Sequence, residues 1–171
     1  MHPDYIGEVQ RLCLQNNWQK VQQIIPGGAD RWQSSWQAIQ AFRNQPSEVS
    51  LLIHDAARPF VSLRIIEDTC EALKTHPAVT VAIPVTDTLY KVESGKLKVE
   101  SIPNRADFMR AQTPQSFHLS LLAEAYERAL AAPSVEATDD CGIVHKYMPE
   151  QPIYIVAGEE TNRKITYKED L

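Results

Sequence analysis

The sequence predicts an α/β fold with a mostly parallel sheet and a β-hairpin that projects from it. Three observations favour this class. Short runs rich in β-branched residues alternate with amphipathic segments, polar loops follow several of the runs, and two alternating runs flank a tight turn. The length of 171 residues fits a single domain covering residues 1–171.

Helical spacing of apolar residues predicts the helices. The first covers residues 4–16, and the next two begin after Asp30 and Ser62, whose side chains can accept from the unpaired N–H groups of a first turn. The second is expected to end at 44–47, a long helix covers 119–130, and a short one begins at Thr138. The positions expected to face the core are Ile6, Val9, Leu12 and Cys13; Trp32, Trp36, Ile39 and Phe42; Ile66, Cys70 and Leu73; and Leu119, Leu122, Ala123, Tyr126 and Leu130.

Short apolar runs between these helices are predicted to be strands. They cover residues 21–25, 49–53, 79–85, 108–112 and 153–156. Residues 88–93 and 96–102 flank Ser94-Gly95, which predicts a hairpin that need not join the main sheet. Strands that alternate with helices favour parallel pairing through right-handed crossovers. Because the chain opens with a helix, we expect a preceding βα unit to be absent and the domain to be incomplete at its N-terminus.

Charge and cysteine content exclude several classes of protein. The 17 basic and 22 acidic residues give a net charge of -5, which does not suit non-specific binding to nucleic acid or to an anionic membrane. Cys13, Cys70 and Cys141 are odd in number and far apart, which fits neither a disulfide framework nor a zinc site and predicts a reducing, cytoplasmic compartment. No apolar run is long enough for a membrane span or a signal peptide.

The loops after the predicted strands hold the candidate ligand-binding residues, because ligands of open α/β sheets bind beyond the carboxyl ends of strands. Asp55 could hold a divalent cation or a ribose hydroxyl, and Arg58 could bind a phosphate through its planar fork of donors. The alternative is a mutual ion pair that only fixes the loop. Thr113, held extended before Pro114, could direct its hydroxyl outward to a phosphate, or could simply form a turn.

Other polar residues carry less information by themselves. The simplest interpretation of Thr138-Asp139-Asp140 is a helix cap. Arg105 and Lys164 are single basic residues in loops, for which solvation at the surface is the default. His54 has no nearby Ser or Cys in strand-turn-helix context, so a hydrolase triad is disfavoured.

Six stretches in one order carry a resemblance to a known family. They are residues 27–31, 54–59, 84–88, 111–117, 138–140 and 164–166, of which Asp-Ala-Ala-Arg-Pro at 55–59 and Gln-Thr-Pro-Gln at 112–115 are the most specific. Together they resemble the 2-C-methyl-D-erythritol 4-phosphate cytidylyltransferases of the non-mevalonate isoprenoid pathway, from about residue 20 to the end. The resemblance implies a Rossmann-like nucleotidyltransferase domain that uses CTP and Mg²⁺.

The resemblance also implies a role for individual residues. Asp55 matches an acid near the ribose and the metal, Lys164 matches a lysine that stabilises charge at the α-phosphate, and Arg58 matches an arginine of the sugar-phosphate pocket. Thr88, Arg105, Thr113 and Thr138 match positions that hold methylerythritol phosphate, and Gly28 and Ser34 match cytidine-binding positions. In this family the hairpin is an arm, here residues 86–107, that builds a homodimer and delivers its threonine and arginine to the partner subunit.

Three departures from the family pattern bear on activity. The Gly-rich basic loop that cradles the triphosphate has no match, since the first glycine is Gly7 within a predicted helix. We therefore expect the chain as it stands to be nearly inactive with CTP. Trp36 and Cys141-Gly142 also differ from the family pattern, which leaves the pocket shape open. Two alternatives remain: a ribitol-5-phosphate cytidylyltransferase, and a non-catalytic dimerising module.

Overall fold

The computed structural model describes residues 1–46 and 48–170, so Ser47 and Leu171 lie outside the described residues. The helices are α1 (Ile6–Gln15), α2 (Arg31–Phe42), α3 (Leu63–Ala72), α4 (Leu119–Leu130) and α5 (Asp140–Tyr147). The strands are β1 (Ser50–Ile53), β2 (Ala78–Pro84), β3 (Lys91–Val92), β4 (Val99–Ser101), β5 (Met109–His118) and β6 (Tyr154–Ala157). The chain forms two compact units, residues 1–51 with 117–153 and residues 52–116 with 154–171.

Helices α2, α4 and α5 form the core of the first unit. A capping box between Asp30 and Gln33 starts α2, where the Asp30 N–H donates to Gln33 Oε1 at 3.1 Å. Ile39 is fully buried, but Phe42 is 37% exposed, so the predicted inner face of α2 is wrong at its C-terminal end. The Trp36 ring stacks on Tyr126 of α4, with centroids 5.8 Å apart.

A buried polar network joins the same three helices. The Tyr126 hydroxyl donates to Asp140 Oδ1 at 2.6 Å, and Arg31 Nη1 lies 2.7 Å from Asp140 Oδ2. Burial, followed by the charge of Asp140, raises the pKa of Tyr126, so its phenol remains a hydrogen-bond donor. The interpretation of Thr138-Asp139-Asp140 as a helix cap is confirmed, although Asp139 and not Thr138 is the N-cap of α5 and accepts from the Gly142 N–H at 2.7 Å.

Replacing Tyr126 with phenylalanine is expected to lower the free energy of unfolding by about 1.5–3 kcal/mol, because it removes a buried donor to a carboxylate. The control is Tyr147→Phe, which removes a hydroxyl that donates to the Ser134 carbonyl in an exposed setting. Urea titrations of both variants measure the difference. Equal losses in the two variants would contradict a stabilising role for the network.

The second unit contains most of a four-stranded sheet in the order β1-β5-β2-β6. Strands β2 and β6 are parallel, with Val79 paired to Tyr154 and Ala82 to Ala157, and the sheet also has antiparallel strands. This confirms the predicted α/β class. The core of the unit is formed by α3 and its C-cap residue together with β2 and β6, namely Ile65, Leu73, Val79, Val81 and Val156.

Helix α3 begins after Ser62, whose hydroxyl accepts from the Ile65 N–H at 3.2 Å, as predicted. The predicted buried stripe is wrong, however. Ile65 and Thr69 are buried, whereas Ile66 and Cys70 are exposed. Ile65, Thr69 and Leu73 follow one another at four-residue spacing and therefore share one face of the helix. Of the predicted positions only Leu73 lies on this face, so it alone is buried as expected.

Two strand predictions need correction. Residues 21–25 form no strand. The end of this segment instead bonds to Met1: the Met1 amine donates to the Ile25 carbonyl, and the Gly27 N–H donates to the Met1 carbonyl. A β-branched run becomes a strand only where a neighbour supplies a ladder of such bonds. In contrast, β5 continues through Thr113 and Pro114, beyond the predicted end of the strand at residue 112, because residues 112–117 are buried between neighbouring strands.

The predicted hairpin is confirmed. Strands β3 and β4 pair antiparallel in a sheet of their own, and Gly95 between them has a φ of 73°, which glycine adopts without strain. In the part of the chain that the structure describes, no helix is long and apolar enough to cross a membrane.

Candidate functional site

Four of the residues selected from the sequence meet in the second unit. Asp55 and Arg58 lie in the loop after β1, Thr113 lies within β5, and Lys164 follows β6. Lys164 Nζ is 3.2 Å from Asp55 Oδ2, and Arg58 Nε is 4.0 Å from the same oxygen. The Asp55 N–H donates to Thr113 Oγ1 at 3.1 Å. Two cations, Arg58 and Lys164, share the single carboxylate of Asp55, so the group can attract an anion. We therefore call Asp55, Arg58, Thr113 and Lys164 the anion cluster.

Backbone carbonyls hold the Arg58 guanidinium more closely than Asp55 does. Its Nη1 donates to the Asn162 carbonyl at 2.8 Å and its Nη2 to the Ala111 carbonyl at 3.3 Å. The side chain is 12% exposed, and burial lowers its pKa while Asp55 opposes that shift. Arginine nevertheless stays charged and has five N–H donors. A mutual ion pair with Asp55 is therefore not the main anchor, and Arg58 keeps donors that the two carbonyls do not use.

The Thr113 hydroxyl fixes the loop after β1. Its Oγ1 lies 2.9 Å from His54 Nδ1, and His54 Nε2 lies 2.9 Å from the Arg58 carbonyl. Because a carbonyl can only accept, Nε2 carries the proton of the neutral ring, and Nδ1 accepts from the Thr113 hydroxyl. Thr113 is extended before Pro114, as predicted, and the alternative of a simple turn is wrong. Its hydroxyl is buried rather than directed outward, and it binds the loop that carries Asp55 and Arg58.

The structure also assigns importance to two residues to which the sequence gave no individual role: Gln112, which lies in the Gln-Thr-Pro-Gln motif, and Asn162. Gln112 and Asn162 are buried and bond to each other through their side-chain amides. The motif itself could have indicated Gln112. Asn162 is an isolated polar residue that gives no periodic signal, so only its proximity to Lys164 in the sequence could have indicated it.

Thr88 and Arg105 are exposed residues at the base of the hairpin. Arg105 Nη1 donates to the Thr86 carbonyl. Within residues 1–46 and 48–170, no hydrogen bond or ion pair joins Thr88 or Arg105 to the anion cluster.

The first unit holds the other selected residues. The Gly28 N–H donates to Ser34 Oγ at 3.1 Å, so these two residues lie together at the start of α2. A Cβ at Gly28 would stand 2.1 Å from Gln33 Cβ, which explains why glycine is required there. Thr138 is exposed and precedes the N-cap of α5.

Asp55 is the residue selected for a metal ion. In the described portion of the chain, no group of three or more His, Cys, Asp or Glu side chains could hold a metal. Mg²⁺ commonly uses one or two carboxylates together with water and substrate phosphates. The Asp55 carboxylate therefore fits Mg²⁺ only if nucleotide phosphates complete its coordination.

Comparison with known proteins identifies the family. The family model for 2-C-methyl-D-erythritol 4-phosphate cytidylyltransferase matches residues 1–171. The chain is 43% identical to the protein of that name from Thermobifida fusca, covering 100% of this chain and 70% of the relative. The chain thus belongs to the 2-C-methyl-D-erythritol 4-phosphate cytidylyltransferase family, which confirms the resemblance found in the sequence.

Two further comparisons add structure and an alternative. The crystal structure of 4-diphosphocytidyl-2C-methyl-D-erythritol synthase from Anaerococcus prevotii matches with a TM-score of 0.85 and 28% identity, over 99% of this chain and 74% of that one. A bifunctional ribulose 5-phosphate reductase/CDP-ribitol pyrophosphorylase from Haemophilus influenzae is 41% identical, over 95% of this chain and 34% of the relative. The chain spans 60–70% of the length of the first curated relatives.

Proposed function

We propose that this chain is part of a cytoplasmic cytidylyltransferase that acts on 2-C-methyl-D-erythritol 4-phosphate. A phosphate oxygen of that acceptor attacks the α-phosphorus of CTP, the bond from the α-phosphorus to the bridging oxygen breaks, and pyrophosphate leaves. The products are 4-diphosphocytidyl-2-C-methyl-D-erythritol and pyrophosphate. Family membership supports the reaction, and the anion cluster is the observation from which we assign the reaction to particular side chains.

Charge supports the assignment of the anion cluster to phosphates. Lys164 and Arg58 share the carboxylate of Asp55, so the three side chains carry a net positive charge. Lys164 is 49% exposed, which leaves its ammonium able to move from Asp55 toward a phosphate. Lys164 would stabilise charge that develops at the α-phosphate. Asp55 would contact the ribose and hold Mg²⁺, which neutralises phosphate charge when bound.

The remaining residues would bind the two substrates. Arg58 would contact the acceptor phosphate, Thr113 would hold the loop that carries Arg58 and Asp55, and Gly28 with Ser34 would contact the cytidine. Thr88, Arg105 and Thr138 would complete the acceptor site. None of these residues needs to form or break a covalent bond, because phosphoryl-type transfer depends mainly on positioning and charge neutralisation.

A homodimer built through residues 86–107 is part of the proposal. Strands β3 and β4 have only two and three residues and pair apart from the main sheet. An isolated hairpin of this kind is marginally stable in water. Its apolar side chains, Val92, Leu97, Val99 and Ile102, are exposed, so burial against a second copy would stabilise it. Thr88 and Arg105 would then act in the partner subunit.

The second candidate is transfer to ribitol 5-phosphate. The observation that favours it is the 41% identity to the Haemophilus influenzae protein named as a CDP-ribitol pyrophosphorylase. Both acceptors are polyol phosphates, so Arg58, Thr113 and Lys164 would serve either one.

A substrate panel separates these functions. Pyrophosphate release is measured on the complete gene product that contains this chain, with CTP and each acceptor in parallel. We expect turnover with methylerythritol phosphate at least about tenfold faster than with ribitol phosphate, equivalent to about 1.4 kcal/mol of transition-state discrimination. Turnover with ribitol phosphate only would reject the first function, and no turnover with either acceptor would support a non-catalytic module.

A further inference from the structure

We propose that Asn162 is a positioning residue of this enzyme: its buried amide joins residues 159–164 to β5 and thereby places Lys164 and Arg58 for the transfer. The proposal deepens the proposed function and rests on it.

The Asn162 side chain is fully buried, and within the described residues its amide nitrogen bonds to two residues of β5. Nδ2 donates to the Thr113 carbonyl at 2.8 Å and to Gln112 Oε1 at 3.2 Å. Both partners are acceptors, so this position requires the two N–H donors of an amide nitrogen. Asn162 therefore connects its own segment to the strand residue that belongs to the anion cluster.

Gln112 completes the connection from the other side. Its Nε2 donates to the Glu159 carbonyl at 2.8 Å, and its Oε1 accepts from the Glu159 N–H at 3.3 Å as well as from Asn162. A Cβ at Gly158 would lie 2.3 Å from Gln112 Oε1, so glycine allows this close approach. We call Gln112 and Asn162 the amide clasp.

The amide clasp acts on both cations of the anion cluster. The Asn162 carbonyl accepts from Arg58 Nη1 at 2.8 Å, which orients the guanidinium directly. On the other side of Lys164, the Ile165 N–H donates to the Ala57 carbonyl at 2.8 Å. Lys164 is thus held between two anchored neighbours, and only its flexible side chain remains free to adjust.

Small displacements of such groups have large kinetic consequences. A shift of about 1 Å in a group that meets the reacting atoms can lower turnover about 100-fold. Loss of the amide nitrogen would leave the Thr113 carbonyl and Gln112 Oε1 without that donor and would release one side of the segment that carries Lys164. Serine at position 162 keeps the backbone carbonyl that binds Arg58 Nη1, so we expect the loss of the amide to act through Lys164.

The test is a double-mutant cycle between Asn162→Ser and Lys164→Ala in the complete gene product. Asn162→Ser is expected to lower kcat about 10- to 100-fold, with the KM for CTP changed by less than about threefold. In the Lys164→Ala background the same substitution should change kcat by less than about threefold, because coupled residues are not additive. The control is Asn16→Ser, which removes an exposed amide that donates to the Leu12 carbonyl and should leave turnover unchanged.

A second readout does not need turnover. Hydrogen exchange of the Ile165 and Glu159 amides in the 171-residue chain should accelerate about tenfold or more in Asn162→Ser, while Lys164→Ala leaves both rates unchanged. Equal losses of kcat in both backgrounds, or unchanged exchange, would overturn the positioning role alone. Absence of turnover in the unsubstituted protein would instead reject the proposed function.

Discussion

Replacement of Lys164 with alanine is expected to lower kcat about 100-fold or more, because removal of one group that meets transition-state charge typically costs 10²- to 10³-fold. The ammonium lies 3.2 Å from Asp55 Oδ2 and is the more exposed of the two cations in the anion cluster. Pyrophosphate release by the complete gene product under saturating CTP and methylerythritol phosphate measures the effect.

Lys168→Ala is the matched control, since Lys168 is an exposed lysine in the same terminal segment but makes no described contact with the anion cluster. Because Lys164 is half exposed, its removal should leave the unfolding midpoint nearly unchanged. Equal kcat values for the two lysine variants would remove Lys164 from the site.

Replacement of Arg105 with alanine is expected to produce a loss of similar size, about 100-fold, since the guanidinium would bind the acceptor phosphate. Arg105 contacts only the Thr86 carbonyl among the bonds described, in an exposed position at the base of the hairpin. An effect of Arg105→Ala on turnover therefore requires that the Arg105 side chain enters the site of a partner subunit.

Mixed dimers of the complete gene product test whether Arg105 acts in the partner subunit. If Arg105 acts in the partner subunit, a dimer of one Arg105→Ala chain and one Lys164→Ala chain has one complete site. Random pairing of the two variants should then restore about a quarter of the unsubstituted activity. If Arg105 acts within its own subunit, no site is complete, and mixing would restore nothing beyond the activities of the separate variants.

Local signals predicted the parts of the fold that local chemistry determines. The caps at Asp30 and Ser62 begin helices where expected, and Ser94-Gly95 forms the hairpin turn. These features depend on side-chain to backbone bonds within a few residues, or on the conformational freedom of glycine.

Long-range packing determined what the sequence could not predict. Residues 21–25 have the composition of a strand, but their described backbone bonds, from the Val21 N–H to the Trp18 carbonyl and from the Met1 amine to the Ile25 carbonyl, form no ladder. In contrast, β5 continues through Pro114 because neighbouring strands enclose it. Two of the three predicted buried positions of α3 are displaced by one residue, since Ile65 and Ile66 have equal hydrophobicity and only the sheet decides between them.

The candidate site likewise combines residues that the sequence predicted with contacts that it could not predict. Motifs identified Asp55, Arg58, Thr113 and Lys164, and the structure brings these four together. The sequence did not predict that carbonyls would hold Arg58, or that Asn162 would connect Thr113 to the lysine segment. Such bonds form between residues about 50 to 100 positions apart and leave no periodic pattern.

The most direct test of the anion cluster is calorimetric binding of 2-C-methyl-D-erythritol 4-phosphate to the unsubstituted chain, Thr113→Val and Thr80→Val. The valine at 113 removes the hydroxyl that bonds the Asp55 loop, whereas the Thr80 hydroxyl is buried with no hydrogen-bond partner in the described residues. We predict saturable binding that Thr113→Val weakens about tenfold or more and Thr80→Val leaves unchanged. Equal affinities for all three proteins would contradict the assignment of this cluster to the acceptor phosphate.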